Sequence, residues 1–148
     1  MSTVGQRERA TQDRIVKFFQ QQLDYDYYGD WQDRPNNSNI EEGYLYDWLS
    51  GRGLGDGLIT NAIRKFKRSA VMGDGVKLYH ANKAVYSDLR YGVKVPQGQG
   101  KPDKTVWLID WDNPLNNEFA IAEEVSVKGE NTKRPDIVLY VNGIALGV

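Results

Sequence analysis

Lys133-Arg134-Pro135-Asp136-Ile137-Val138-Leu139-Tyr140-Val141-Asn142-Gly143-Ile144-Ala145-Leu146-Gly147-Val148 is the stretch that decides the fold. Asn142-Gly143 marks a two-residue hairpin turn, because both turn positions need positive φ and this pair adopts it at little cost. The turn joins a strand over 136–141 to one over 144–148, both rich in β-branched and apolar residues. Pro135 has no backbone N–H, so it suits the point where pairing begins and fixes how Asp136 enters the sheet. If Val141 pairs with Ile144 and the ladder runs without interruption, Asp136 stands opposite the position immediately after Val148.

Working outward, 118–127 reads as a further strand, with Phe119, Ile121, Val125 and Val127 on one face and Glu123 interrupting that face. Thr105-Val106-Trp107-Leu108-Ile109-Asp110-Trp111 reads as another, closed by a turn over 112–117. Before residue 105 the period changes. Ile15, Phe18, Phe19 and Leu23 place a helix over about 6–23, followed by a polar, aromatic loop over 24–31. Ser38 and Glu41 fit a capping box that opens a short helix carrying Ile40, Leu45, Trp48 and Leu49, stopped by Gly51 and Gly53. Leu58, Ile59, Ala62, Ile63, Phe66 and Ala70 outline a third helix, and Leu78, Ala81, Val85 and Leu89 a fourth that closes near Gly92. Helices first and then a mainly antiparallel β-meander give an α+β, sandwich-like class.

The 148 residues, 40% of them hydrophobic and 26% charged, suit one domain with a real core. Cys is absent and His80 is the one histidine, which removes thiolate zinc sites, cysteine nucleophiles and imidazole cages together. Chemistry here has to rest on carboxylates, lysines, hydroxyls or an oxygen-bound metal. No run approaches the roughly 20 apolar residues of a membrane span, and the first residues lack a signal peptide's apolar core, so a cytoplasmic protein without membrane contact is expected. Net charge is −1, so no global basic field announces nucleic acid. The local clusters Arg64-Lys65-Phe66-Lys67-Arg68 and Lys128, Lys133, Arg134 read first as solvated faces.

Two glycine-rich stretches imitate nucleotide loops. Gly51-Arg52-Gly53-Leu54-Gly55-Asp56-Gly57 follows a helix instead of a strand, and Gly98-Gln99-Gly100-Lys101 has Pro102 where a magnesium-binding hydroxyl is needed. No ATP site is visible. His80 reads as structural or superficial. Tyr25, Tyr27, Tyr28 and Trp31 read as aromatics folded back onto the core, with a ligand-binding pocket as the competing use. Asp110 and Asp112 suit turn hydrogen bonds better than a cation. Glu123 is costly on an apolar face unless it meets an Arg, a Lys or a metal. Asp136, preceded by two basic residues, suits either a structural role or a metal-binding carboxylate beside a phosphate.

A resemblance joins these pieces. Leu89-Arg90-Tyr91-Gly92-Val93-Lys94-Val95, Thr105 to Trp111 with Asn113-Pro114, Ile121-Ala122-Glu123-Glu124, and Lys133 to Gly143 look like the N-terminal domain of the restriction (R) subunit of type I restriction enzymes. Gly29-Asp30-Trp31 and Asn37-Ser38-Asn39-Ile40-Glu41 fit the same family. The resemblance implies a restriction-endonuclease-like core of the PD-(D/E)XK class, whose signature is an Asp opening one strand of a hairpin and Glu-x-Lys on the next. Asp136 matches the Asp. The Glu-x-Lys would lie just past Val148, so the expectation is a single domain over 1–148, an N-terminal endonuclease-domain fragment interrupted within its catalytic hairpin.

By the same resemblance the cofactor is Mg2+, held by Asp136 with Glu123 as a further acid and Glu41 and Glu42 as weaker alternatives. Lys128, Lys133 and Arg134 would contact DNA. ATP would bind only a downstream motor domain absent from these residues, and the partners would be DNA and the modification and specificity subunits. The competing expectation is a non-catalytic domain of the same fold, serving DNA contact or subunit assembly.

Overall fold

The computed structural model describes residues 3–73, 75–128 and 131–148. They form an α+β fold in two compact units, one built from 1–41 with 118–148 and the other from 42–117.

The first unit holds helix α1 (Thr3–Gln22) and a four-stranded sheet of β1 (Asp26–Asp30), β4 (Phe119–Glu123), β5 (Ile137–Val141) and β6 (Ile144–Gly147), in the order β1-β4-β5-β6. β5 runs antiparallel to β4 and to β6, as the hairpin requires. Asn142 and Gly143 sit at φ 53° and 82°, the double positive that makes Asn-Gly the economical turn. β1 departs from expectation. The stretch read as a loop is a strand, and it pairs parallel to β4, with Asp26 opposite Ala120 and Asp30 opposite Glu123. Parallel neighbours need a long crossover, and residues 31–118 supply it. Gly29, at φ 114°, takes up the irregularity in that ladder. β4 is therefore interior, and Ala120, Ile121, Ala122 and Glu123 are all buried, so both of its faces are covered and not only the face that the alternation marks.

Three further expectations change. The β4 strand ends at Glu123, because Glu124 takes φ 50° and leaves only an isolated Val127–Lys133 bridge beyond it. In α1 the buried residue is Val16, while Ile15, Phe18 and, just past the helix end, Leu23 are exposed. The face turned to the sheet is Arg9, Gln12, Val16 and Phe19, with Phe19 against Tyr25 (4.9 Å between ring centres) and Tyr25 against Phe119 (5.4 Å). The β5–β6 ladder also carries a bulge. Val141 faces Ile144 and Tyr140 faces Ala145, but Leu139 faces Gly147, so Leu146 is the extra residue and the partner of Asp136 moves one position further along than an uninterrupted ladder gives.

The second unit packs α2 (Glu42–Gly51), α3 (Asp56–Ser69) and α4 (Leu78–Tyr91) with the short antiparallel pair β2 (Val93–Val95) and β3 (Lys104–Val106). α3 buries Ile59, Ala62, Ile63 and Phe66 at helical spacing, as its sequence predicts. The capping box before α2 forms only in part. Glu41 accepts the Ser38 N–H (2.9 Å), but the Ser38 hydroxyl reaches the Ile40 N–H (3.3 Å) and the helix starts at Glu42. Residues 52–55 are the interhelical turn that the glycine run suggests.

The strand read over 105–111 is paired only through Val106. Asp110 is instead a turn anchor: it accepts the Asn113 N–H (2.9 Å), Asn116 Nδ2 (3.2 Å) and Arg52 (3.0 Å). Those donors, the Asn113 N–H foremost, hold its carboxyl below the usual range. Gly92 ends α4 at φ 81°, where a Cβ would lie 2.5 Å from the Thr105 methyl.

Candidate functional site

Asp136 is the residue before β5 and lies outside the regular ladder, yet its main chain is held. Its carbonyl accepts the Glu124 N–H (2.9 Å) and Gln12 Nε2 (3.3 Å), while Pro135 O accepts the Val125 N–H (3.1 Å). The missing N–H of Pro135 thus falls where no ladder donor is required, and the Asp136 side chain is left exposed. It lines a groove of about 560 Å³ together with Glu8, Arg9, Gln12, Glu124 and Arg134.

Glu123 lies in β4 directly opposite Ile137, so the topology brings it within one residue of Asp136 across the ladder. Its side chain is 3% exposed and paired with Arg9 (Nη2–Oε2 3.0 Å), which also meets Asp13 at 2.9 Å. Glu123 holds the Arg9 guanidinium above its ordinary range, chiefly through that hydrogen bond. Burial, with Glu123 and Asp30 nearby, pushes the Tyr27 phenol up as well. The buried carboxylate is therefore satisfied by an ion pair with Arg9. Glu124 is committed too, between Arg134 Nε (3.0 Å) and Gln12 Nε2 (3.3 Å).

Removing the cation from a carboxylate this deeply buried is expensive. Arg9→Ala is expected to lower the urea midpoint of the first unit further than Arg9→Lys does. Adding Glu123→Gln in the Arg9→Ala background is expected to recover part of the loss. Equal midpoints for all these variants would mean that the pair contributes nothing.

The remaining candidates separate. Glu41 is buried and clamped by Arg34 through two 3.0 Å bonds, with the Arg34 guanidinium 3.8 Å from the Trp31 ring centre. Burial and the charge of Glu41 push the neighbouring Tyr140 phenol up to about 12. This cluster is structural, and it takes in Trp31 and Tyr28, which stack at 5.6 Å. Glu42 belongs to the other unit, where it pairs with Lys67. His80 is exposed on α4 beside Tyr79. Of the three basic residues, Arg134 lines the Asp136 groove, Lys128 lines a different one with Ser126 and residues 32–37, and Lys133 is exposed with its main chain paired to Val127. Arg9 and Gln12 escape a reading of the sequence for apolar stripes. Their signal is their spacing, since they stand in line with Val16 and Phe19 at intervals of three and four.

Among the described residues no three Asp, Glu or His side chains come together as a metal cage. Among the described residues, Asp136 and Glu8 are the acids lining the groove without an ion pair. The described residues do not by themselves fit a tightly held divalent ion.

The sequence model for the N terminus of type I restriction enzyme R proteins matches residues 5–148. The chain belongs to this family. A Methanocaldococcus jannaschii protein bearing the name of a putative type I restriction enzyme endonuclease subunit, MjaIXP, is 35% identical over 72 residues, 45% of this chain and 7% of that protein. The match thus spans a small part of that relative's length. No solved structure matches. Within the family assignment, the described residues contain no helix long and apolar enough to cross a membrane.

Proposed function

We propose that this R-protein N terminus is the nuclease part of its subunit, hydrolysing DNA phosphodiester bonds with Mg2+ at the Asp136 groove. The observation that carries the reading is the placement of Asp136. Its main chain is fixed by two donors, its carboxylate is open to the groove, and it immediately precedes β5, the strand that pairs with β6. When bound, a magnesium ion would supply charge neutralisation at the phosphate and a more acidic water, and one or two carboxylates would hold it. Asp136 would be one such ligand. The second acid and the cationic partner are the Glu-x-Lys expected along the continuation of β6, and Glu123 is a further acid only after release from Arg9. Arg134 and Gln12, on the groove wall, would orient a phosphate. ATP chemistry and contacts with modification and specificity subunits belong to the larger protein.

The commitment of Glu123 and Glu124 to arginines favours a second reading, in which this fold contacts DNA or other subunits without cutting. Plasmid nicking separates the two. A subunit extended through Glu-x-Lys is expected to nick DNA with Mg2+ and to stop when the metal is chelated, whereas the 148-residue chain is expected not to nick. Robust nicking by the short chain, or none by the extended one, would overturn the proposal.

A further inference from the structure

We infer that the outer face of α3, centred on Arg64 and Arg68, docks the sugar–phosphate backbone of duplex DNA; the choice of DNA as the polyanion rests on the nuclease reading. The near-neutral total hides an uneven distribution. Residues 42–117 carry eleven Lys and Arg against eight Asp and Glu, while the rest of the chain carries eight against twelve. The excess gathers on α3, which buries Ile59, Ala62, Ile63 and Phe66 and leaves Arg64, Lys65, Lys67 and Arg68 exposed.

Arg64 and Arg68 stand one helical turn apart and form a ridge with a groove on either side, of about 390 and 590 Å³. The smaller groove is completed by Asn61, Lys65, Val95 and Pro96 and has no acid in its walls. Lys65 donates to the Lys94 carbonyl (2.6 Å), which fixes one cation at its edge. In the larger groove Glu42 is taken by Lys67. Among the described residues neither Arg64 nor Arg68 has an ion-pair partner.

Within the fold Arg64 makes an exposed hydrogen bond to Asn61 Oδ1 (3.4 Å). Basic residues in a last turn complement the helix dipole, which accounts for Lys67 and Arg68, but Arg64 lies a turn earlier. Like charges at i, i+4 repel, so the pair costs stability in the free protein. Two arginines on one ridge provide planar forks matched to phosphate oxygens. No aromatic side chain lines the acid-free groove, so single-strand base stacking has no platform there and a duplex backbone fits better.

Anisotropy of a labelled short DNA duplex titrated with the 148-residue chain over a range of salt tests the inference. Binding is expected, with Arg64→Ala/Arg68→Ala weakening it and flattening the slope of log K against log salt by about 2, roughly 0.9 for each phosphate left without its arginine. Arg64→Lys/Arg68→Lys is expected to keep the slope, and circular dichroism to show every variant folded. A double alanine variant with the wild-type slope overturns the inference. So does displacement of the duplex by an acidic polypeptide as readily as by unlabelled DNA, which would make the partner a protein. Neither result touches nicking by the extended subunit, so failure here is distinct from failure of the nuclease reading.

Discussion

Asp136→Asn in a subunit extended through Glu-x-Lys is expected to reduce Mg2+-dependent nicking about 10²- to 10³-fold while leaving the fold unchanged. The magnitude follows from losing a charged metal ligand, because metal stabilisation of the transition state is worth several kcal/mol and each ~1.36 kcal/mol is tenfold in rate. The fold is spared because the hydrogen bonds at this position go to the main-chain carbonyl, which the substitution retains. Asn keeps the shape and an oxygen but removes the negative charge, so the comparison isolates the electrostatic role. Nicking within tenfold of the parent, with an unchanged melting curve, would show that Asp136 is a structural residue and move the site elsewhere.

Phe66→Ala carries the largest expected loss of stability. Phe66 is fully buried in the second unit, on the same α3 face as Ile59, Ala62 and Ile63. Truncation to Ala removes the ring's transfer free energy and leaves a cavity that a close-packed surround closes only in part, about 3–5 kcal/mol in total. Stabilities of ordinary domains are about 5–15 kcal/mol, so the variant loses a large share of its margin. Hydrogen exchange is expected to show lost protection concentrated over 56–106. A loss below about 1 kcal/mol in urea titration would mean that the site collapses without a void. The same residue supports the proposed DNA ridge, because Phe66 anchors the helix whose opposite face bears Arg64 and Arg68.

Much of this fold is legible in the sequence because its chemistry is local. Asn142-Gly143, the β5 run and the spacing of Ile59, Ala62, Ile63 and Phe66 each contain their own instruction within a few residues. The sequence puts Asp136 at the opening of the β5 strand, and the ladder starts one residue later, at Ile137. The features that escape such a reading depend on partners distant in the chain. Asp26–Asp30 has no strand signature of its own and becomes a strand because β4, some ninety residues later, offers a parallel edge. Ile15, Phe18 and Leu23 have the spacing of an inner face of α1, but two carboxylates at the end of β4 draw Arg9 and Gln12 inward and turn that stripe outward. The position of Glu123 on an apolar face already calls for a cation. Which cation it meets is a tertiary fact.

Leu146 bears on more than the local geometry of β6. Side chains in a strand alternate between two sides, so one unpaired residue works as a change of phase: every later position swaps sides relative to the opposing strand. Gly147 rather than Leu146 therefore meets Leu139, at a position where an added Cβ would make only ordinary van der Waals contact with the Leu139 side chain. A motif of the form Glu-x-Lys puts both functional groups on one side, so its usefulness hangs on parity. On the nuclease reading proposed above, inserting or deleting a single residue in β6 is expected to turn both side chains to the other side of the sheet, whereas a change of two is expected to keep their side.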